Sequence, residues 1–367
     1  MTPGDLPAML DDLEALVLQE SFSSDHAAVA ASAAVVAEVG ARHLGTGPET
    51  LVVDGVTHLR WSFGVPRVLL LGHHDTVWPI GSLREHPWSV ADGVARGPGV
   101  FDMKSGLVQL FHALRSLPSL DGVCVLVTGD EELGSRTSRT LIEEAAQACE
   151  AALVLEASAD GGALKTARKG VSNYRLKVRG LAAHAGLEPH KGVNAGVELA
   201  HQILAIAAMA DPDGSITVTP TLAGAGTSVN TVPAEAFIAV DSRAADRAAQ
   251  EAVDARMRAL TPRVPGTRLE LEGGPNRPPM DPASSAALFK LAEQVAGELG
   301  LGPLRGVAVG GGSDGNFSAG VGCPTLDGLG AVGDGAHAAH EHVIVEEMPR
   351  RSALLAGLVE AILAGRG

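Results

Sequence analysis

Residues 5–20 and 25–39 place apolar side chains at the three-to-four-residue spacing of amphipathic helices. The pattern then shortens. Residues 58–63 are β-rich, and 67–71 form a flat apolar run stopped by Gly72. A helical stretch at 105–117 leads into a second flat run, 123–128, and a helix at 138–148 leads into a third, 152–155. Flat apolar runs alternating with helices predict parallel strands covered on both faces.

Beyond Gly170 the periodicity changes. Residues 171–178 alternate, 192–209 are helical, 216–222 and 236–240 read as strands, 245–260 as a helix, and 267–271 (TRLEL) as a strict period-2 strand. That β-α-β-β-α-β order is the ferredoxin-like signature. After a Pro-rich stretch at 275–282, the first style returns and ends in a helix at 349–363. The predicted fold class is α/β, a mostly parallel sheet covered by helices with an inserted βαββαβ domain. Residues 1–170 and 280–367 form the outer domain and 171–279 the insertion.

Composition narrows the function. With 367 residues, two domains are expected, and 46% hydrophobic content supplies their cores. A net charge of −15 argues against nucleic acid, whose phosphates need a basic face. No stretch approaches the ~20 apolar residues of a bilayer span, so no membrane partner is expected. The leading residues 1–18 hold Asp5, Asp11, Asp12 and Glu14 and no Lys or Arg, which predicts a cytoplasmic chain. Cys124, Cys149 and Cys323 are too scattered for a disulfide framework or a thiolate zinc site.

Chemistry gathers where the flat runs stop, the edge at which open α/β sheets collect ligands. The first run enters Gly72-His73-His74-Asp75, the second Gly129-Asp130-Glu131-Glu132, and the third ends at Glu156. Between the first two, Gly97-Pro98-Gly99-Val100-Phe101-Asp102 opens a helix. The successive steps, His73 to Asp102, Asp102 to Glu132 and Glu132 to Glu156, are 29, 30 and 24 residues, about one βαβ unit each. Imidazole plus several carboxylates suits a pair of zinc ions, with cobalt or manganese as acceptable substitutes. Of Glu131 and Glu132, one can bind metal while the other acts as general base. Asp75 can orient the His73 ring. Gly328-Leu329-Gly330-Ala331-Val332-Gly333 satisfies G-x-G-x-x-G, but no second strand–helix unit follows it, and dinucleotide binding is rejected.

From about Val68 to Arg350 the chain resembles the co-catalytic zinc aminoacyl hydrolases: glutamate carboxypeptidases of the carboxypeptidase G type, acetylornithine deacetylases, succinyl-diaminopimelate desuccinylases and aminoacylases. The resemblance implies that His73 and Glu156 serve one zinc, Glu132 and His337 the other, and Asp102 bridges both. It also implies Glu131 as general base, Asp75 as orienter of His73, and a cis Asp102–Met103 peptide. His337 is preferred to His340 and His342 because His337…Glu341 followed by Val343-Ile344-Val345 fits the family pattern.

In the insertion, His184 within Gly180–Gly186 resembles the lid histidine that stabilises the oxyanion, often across a homodimer interface. Asn230 and Arg243 match two further substrate contacts of the family. Arg277 aligns loosely with an arginine near the substrate's acidic end, and Gly311 and Gly312 match the loop that approaches the substrate carboxylate. The implied protein is a homodimer, joined through the inserted lid, that hydrolyses a small peptide or N-acyl amino acid. Carboxypeptidase activity, with C-terminal glutamate as a candidate, is the first reading, and an N-acyl-amino-acid deacylase or aminoacylase the alternative. An intact Glu131 and a full ligand set argue against a non-catalytic binding protein.

Overall fold

The computed structural model describes residues 5–366 and divides into two units. The first comprises Met1–Ala167, Met280–Val309 and Ser313–Gly367, the second Arg168–Pro279 with Gly310–Gly312. Residues 1–4 and 367, which belong to the expected outer domain, lie outside the described residues. Gly310–Gly312 were expected with the outer domain and instead group with the second unit.

The first unit opens with α1 (Leu6–Leu18) and α2 (His26–Leu44), then the hairpin β1 (Glu49–Val53) and β2 (Val56–Ser62), and β3 (Val68–His73). Short β4 (Ser89–Ala91) and β5 (Val94–Arg96) precede α3 (Ser105–Arg115), β6 (Val123–Thr128), α4 (Arg139–Gln147), β7 (Ala151–Val154) and β8 (Leu164–Arg168). The second unit holds β9 (Gly170–Arg179), α5 (Ala195–Ala207), β10 (Ile216–Ala225), β11 (Glu235–Ala244), α6 (Arg247–Arg258) and β12 (Arg268–Arg277). The first then resumes with α7 (Pro282–Glu298), β13 (Gly306–Val309), α8 (Gly315–Gly320), β14 (Thr325–Leu326), β15 (Gly333–Asp334), β16 (His342–Ile344) and α9 (Glu347–Leu363).

The main sheet runs β1-β2-β6-β3-β7-β14. The contacts β6–β3, β3–β7 and β7–β14 are parallel, whereas β2 pairs antiparallel with β6 and with β1. Every residue of β3, β6 and β7 is buried, because helices cover both faces. One layer sets Leu70, Val125 and Leu153 with residues of α3 and α9 such as Leu110, Phe111, Leu355 and Val359, and the other sets Leu69, Leu126 and Val154 beside Ile142 and Phe317. Cys124 and Cys323 are buried free thiols.

Among the described residues, α2 is long and apolar enough to cross a bilayer, contrary to the expectation drawn from hydropathy. Its Val29, Ala33, Val36 and Val39 are buried, and it packs on β2 and α3. A side chain at Gly40 would meet the Trp61 ring at 2.5 Å, so the helix and strand touch almost backbone to ring. Its apolar surface is used in a protein core.

The second unit is an antiparallel sheet of order β10-β11-β9-β12. Along β9, Tyr174, Leu176 and Val178 point to one face and pack with Leu199, Ile206, Val253 and Met257 of the two helices. Arg175 and Lys177 take the other face, as period-2 alternation requires. Asn194 caps α5 by accepting from Gly196 and Val197 N–H, and Asp246 caps α6 through Ala249 N–H.

The G-x-G-x-x-G run follows β14, but no helix starts there. Arg351 donates to the Gly328 and Gly330 carbonyls, and a Cβ at Gly330 would lie 2.2 Å from the Leu155 oxygen. These glycines permit close backbone packing beside β7.

Candidate metal centre

β6, β3 and β7 lie side by side and parallel, so their carboxyl ends deliver His73, the turn Asp130–Glu132 and Glu156 to one rim. Asp102 reaches this rim from the wound segment Val100–Lys104 that leads into α3, and its peptide bond to Met103 is cis. His337 arrives on the loop between β15 and β16 with a left-handed φ of 62°, an uncommon backbone state for a non-glycine residue.

His73 Nε2 lies 3.2 Å from Asp102 Oδ1 and 3.6 Å from Glu156 Oε1. His337 Nε2 lies 3.3 Å from Asp102 Oδ2 and 3.0 Å from Glu132 Oε1. The two Asp102 oxygens therefore face opposite halves of the cluster, each shared with one histidine. Donor atoms of His73, Asp102 and Glu132, and likewise of His73, Glu131 and Glu156, lie within 4.8 Å of one another.

The His73 ring is completely enclosed. Its Nδ1 sits nearer the Asp75 backbone oxygen (3.0 Å) than the Asp75 carboxylate (3.4 Å). Both the main-chain oxygen and the carboxylate of Asp75 therefore face this ring nitrogen. That carboxylate also accepts from Ser23 Oγ at 2.7 Å and from the N–H groups of Glu131 and Glu132 at 3.2 and 3.3 Å. It ties the turn that carries Glu131 and Glu132 to the end of β3.

The charges are crowded. Burial by itself would lower the His73 pKa, but hydrogen bonds to Asp102, Asp75 and Glu156 lift it well above the usual imidazole range. Burial would raise Asp102, yet its bonds to His337 and His73 hold it well below an ordinary carboxylate. His337, bonded to Asp102 and Glu132, is raised to about 10. Burial pushes Glu132 up to about 7 despite His337 beside it. Carboxylates whose ion pairs run to imidazoles, two of them holding protons abnormally tightly, form a set that divalent cations would stabilise by replacing those protons. The nitrogen and oxygen donors fit zinc, cobalt or manganese.

Comparison with known proteins agrees with this chemistry. Residues 69–361 match Peptidase family M20/M25/M40. The chain belongs to this family. It is 30% identical to carboxypeptidase G2 of Pseudomonas sp. (strain RS-16), over 98% of this chain and 90% of that protein. It is 29% identical to a succinyl-diaminopimelate desuccinylase of Acidiphilium cryptum, over 83% and 86%. In fold it resembles the M20 metallo-carboxypeptidase Sso-CP2 of Sulfolobus solfataricus (TM-score 0.78, 15% identity, 96% and 99% covered) and aminopeptidase PepT of Bacillus cereus (0.74, 21%, 98% and 99%). This M20 member is therefore a metal-dependent hydrolase of peptidyl or acyl amino acids.

The expected substrate residues all fall in the second unit, in two groups. His184 and Asn230 sit on adjoining exposed loops, where Ala185 N–H donates to the Asn230 carbonyl at 2.9 Å. His184 Nδ1 accepts from Gly186 and Leu187 N–H at 3.2 and 3.1 Å, which places the ring proton of the neutral imidazole on Nε2. Arg243 and Arg277 flank Val171 in one row across β11, β9 and β12. Arg243 is bonded to Asp241 at 2.9 Å, and Arg277 is buried. Gly311 accepts from Arg168 at 3.0 Å, and Gly312 follows it. The arginine row is at the start of β9 and the His184 loop beyond its end, where Glu235 pairs with Arg179. Eight residues of strand separate the two, roughly 27 Å at ~3.4 Å per residue.

Sequence reasoning gave no role to Ser23, Trp78 or Glu341. Ser23 carried no signal. Glu341 was visible only as part of the pattern around His337.

Proposed function

We propose that this protein is a two-zinc carboxypeptidase that releases the C-terminal residue of a small peptide, glutamate being the favoured leaving residue. The observation that carries the reading is the split of the Asp102 carboxylate between the His73–Glu156 and Glu132–His337 halves. In this reading His73 and Glu156 would hold one ion, Glu132 and His337 the other, and Asp102 would serve both. Bound zinc would supply Lewis-acid polarisation and acidify water near neutral pH.

The chain's own groups do the remaining work. Glu131, 7% exposed at the rim, takes a proton from the attacking water and returns it to the departing amine. Asp75 fixes both ends of that geometry, through Glu131 N–H and the His73 ring. His184 offers Nε2 to the developing oxyanion. Arg243 and Arg277 supply guanidinium groups on one sheet row, the residue type suited to gripping a carboxylate side chain or terminus, and the Gly311–Gly312 backbone permits a close approach of the substrate's carboxylate. The reading includes a homodimer joined through this second unit, with His184 acting either in its own subunit or across the dimer.

The test is a substrate panel on the zinc- and cobalt-loaded protein: folyl- or peptidyl-glutamate, peptides with neutral C-termini, and N-acetyl and N-succinyl amino acids. Release of C-terminal glutamate with the highest kcat/KM is expected, and Arg277→Ala should raise KM for the acidic substrate about 10- to 100-fold. Turnover of only the acyl amino acids would favour the deacylase reading, toward which the similarity to desuccinylases points.

A further inference from the structure

We propose that Glu341 is a positioning residue that locks the Asp102 and His337 segments to each other, with Trp78 completing the lock. The proposal rests on the metal-centre reading above.

The Glu341 side chain is buried, and its two oxygens face four donors. Oε1 accepts from the N–H groups of Phe101 and Asp102 at 2.9 and 3.0 Å. Oε2 accepts from Gly99 N–H at 3.0 Å and from the Trp78 indole at 2.6 Å. The loop Gly99–Asp102 thus wraps around a carboxylate nearly 240 residues away in sequence. Gly99 enters the wrap at φ 72°, and a Cβ there would sit 2.5 Å from Thr76. Trp78 is held in turn by an edge-to-face contact with His86 at 5.0 Å.

Ordinary loop stabilisation does not explain where this carboxylate sits. Glu341 ends the same tight turn that carries His337: Ala338 N–H bonds to Gly335 and Glu341 N–H to Ala338. One end of that turn presents His337 Nε2 to Asp102 Oδ2 at 3.3 Å, and the other holds the backbone of Asp102 itself. The spacing between the shared carboxylate and the second histidine is thereby fixed twice, once through side chains and once through the Glu341 cradle. Removing the acceptor leaves two buried N–H groups and the partly buried Asp102 N–H unsatisfied, so the loop must move and take Asp102 with it. Outer partners of this kind commonly change metal affinity 10- to 100-fold.

The experiment compares wild type, Glu341→Gln and Trp78→Phe as full-length proteins. Zinc affinity is read by chelator competition, the visible spectrum of the cobalt form reports coordination, and kcat and KM are measured separately. Glu341→Gln keeps the size but replaces one acceptor oxygen by an N–H donor facing the loop. It should weaken metal binding 10- to 100-fold, shift the cobalt bands and lower kcat with KM little changed. Trp78→Phe removes one donor of four and should act in the same direction by a few-fold. Wild-type affinity and wild-type cobalt bands in both variants overturn the proposal. If Glu341→Gln does not fold, Trp78→Phe alone decides by the same readouts. Failure of the wild-type protein to bind metal would instead overturn the metal-centre reading, and this proposal with it.

Discussion

Replacing Glu131 by glutamine separates proton transfer from metal binding, because the amide keeps the volume and loses only the basic oxygen. Glu131 is buried beside the His73–Glu156 half, and its backbone N–H is fixed by Asp75 at 3.2 Å, so the substituted side chain should keep its place. The five other donors are untouched, and zinc content should stay at the wild-type level. A positioned general base is worth about 10²–10⁴ in rate, or roughly 3–5 kcal/mol of barrier at about 1.36 kcal/mol per decade. The expected result is a fall in kcat of that size with KM within a few-fold of wild type. Metal stoichiometry would be measured on the same preparation by elemental analysis. Activity above about a tenth of wild type would refute the role of Glu131. Loss of metal along with activity would make Glu131 a ligand instead, an outcome its proximity to His73 and Glu156 permits.

Asp12 accepts from Arg42, His43 and His112 at 2.7, 2.7 and 2.8 Å, and although burial alone would raise its pKa, these partners hold it well below the ordinary carboxylate value. Its contribution to stability is present above the unfolded pKa near 3.9 and is lost as pH falls toward the depressed folded value. Asp12→Asn should therefore lower Tm at neutral pH and flatten its decline below about pH 4; an unchanged acid limb would reject the linkage. Gly106→Ala would bring a Cβ within 2.2 Å of the Leu155 oxygen, next to Glu156, and should cost about 1–3 kcal/mol in denaturant unfolding and weaken metal binding. Gly297→Ala on α7, with nothing within 4 Å of the new methyl, is the control expected to be neutral or stabilising. Mixing His184→Ala protein with Arg277→Ala protein after reversible dissociation, assayed at an acidic-substrate concentration where each alone turns over poorly, should restore activity if each site draws on both subunits, in about a quarter of all sites at random equal mixing. No recovery in a verified heterodimer would argue for sites built within one chain.

Much of the metal rim was legible in the sequence because its signals are local. A flat apolar run followed by His73, Glu131-Glu132 or Glu156 records both a buried strand and what stands at its end. The wound loop before α3 announced Asp102 by its glycines. His337 was harder, since three histidines compete within six residues, and only resemblance to a family pattern separated them. Glu341 and Ser23 were missed for one physical reason. Ser23 donates to the distant Asp75 carboxylate and Glu341 accepts from remote backbone N–H groups, and contacts across so much sequence leave no periodicity; the pattern around His337 marked Glu341's position but not what it holds.

By itself, then, the sequence determined the central buried strands, which of their ends carry imidazole and carboxylate side chains, and the βαββαβ order of the second unit, because apolar periodicity and turn residues act over a few positions; short strands such as β1, β4, β5 and β8 left no such pattern. Only the tertiary structure decided that β6 lies between β2 and β3, that the Asp102 oxygens divide between two histidines, and that Arg243 and Arg277 share a row about 27 Å of strand away from the His184 end. Those facts depend on strand register and on contacts between residues far apart in the chain. Burial energy fixes them when the whole core closes, and no local stretch encodes them.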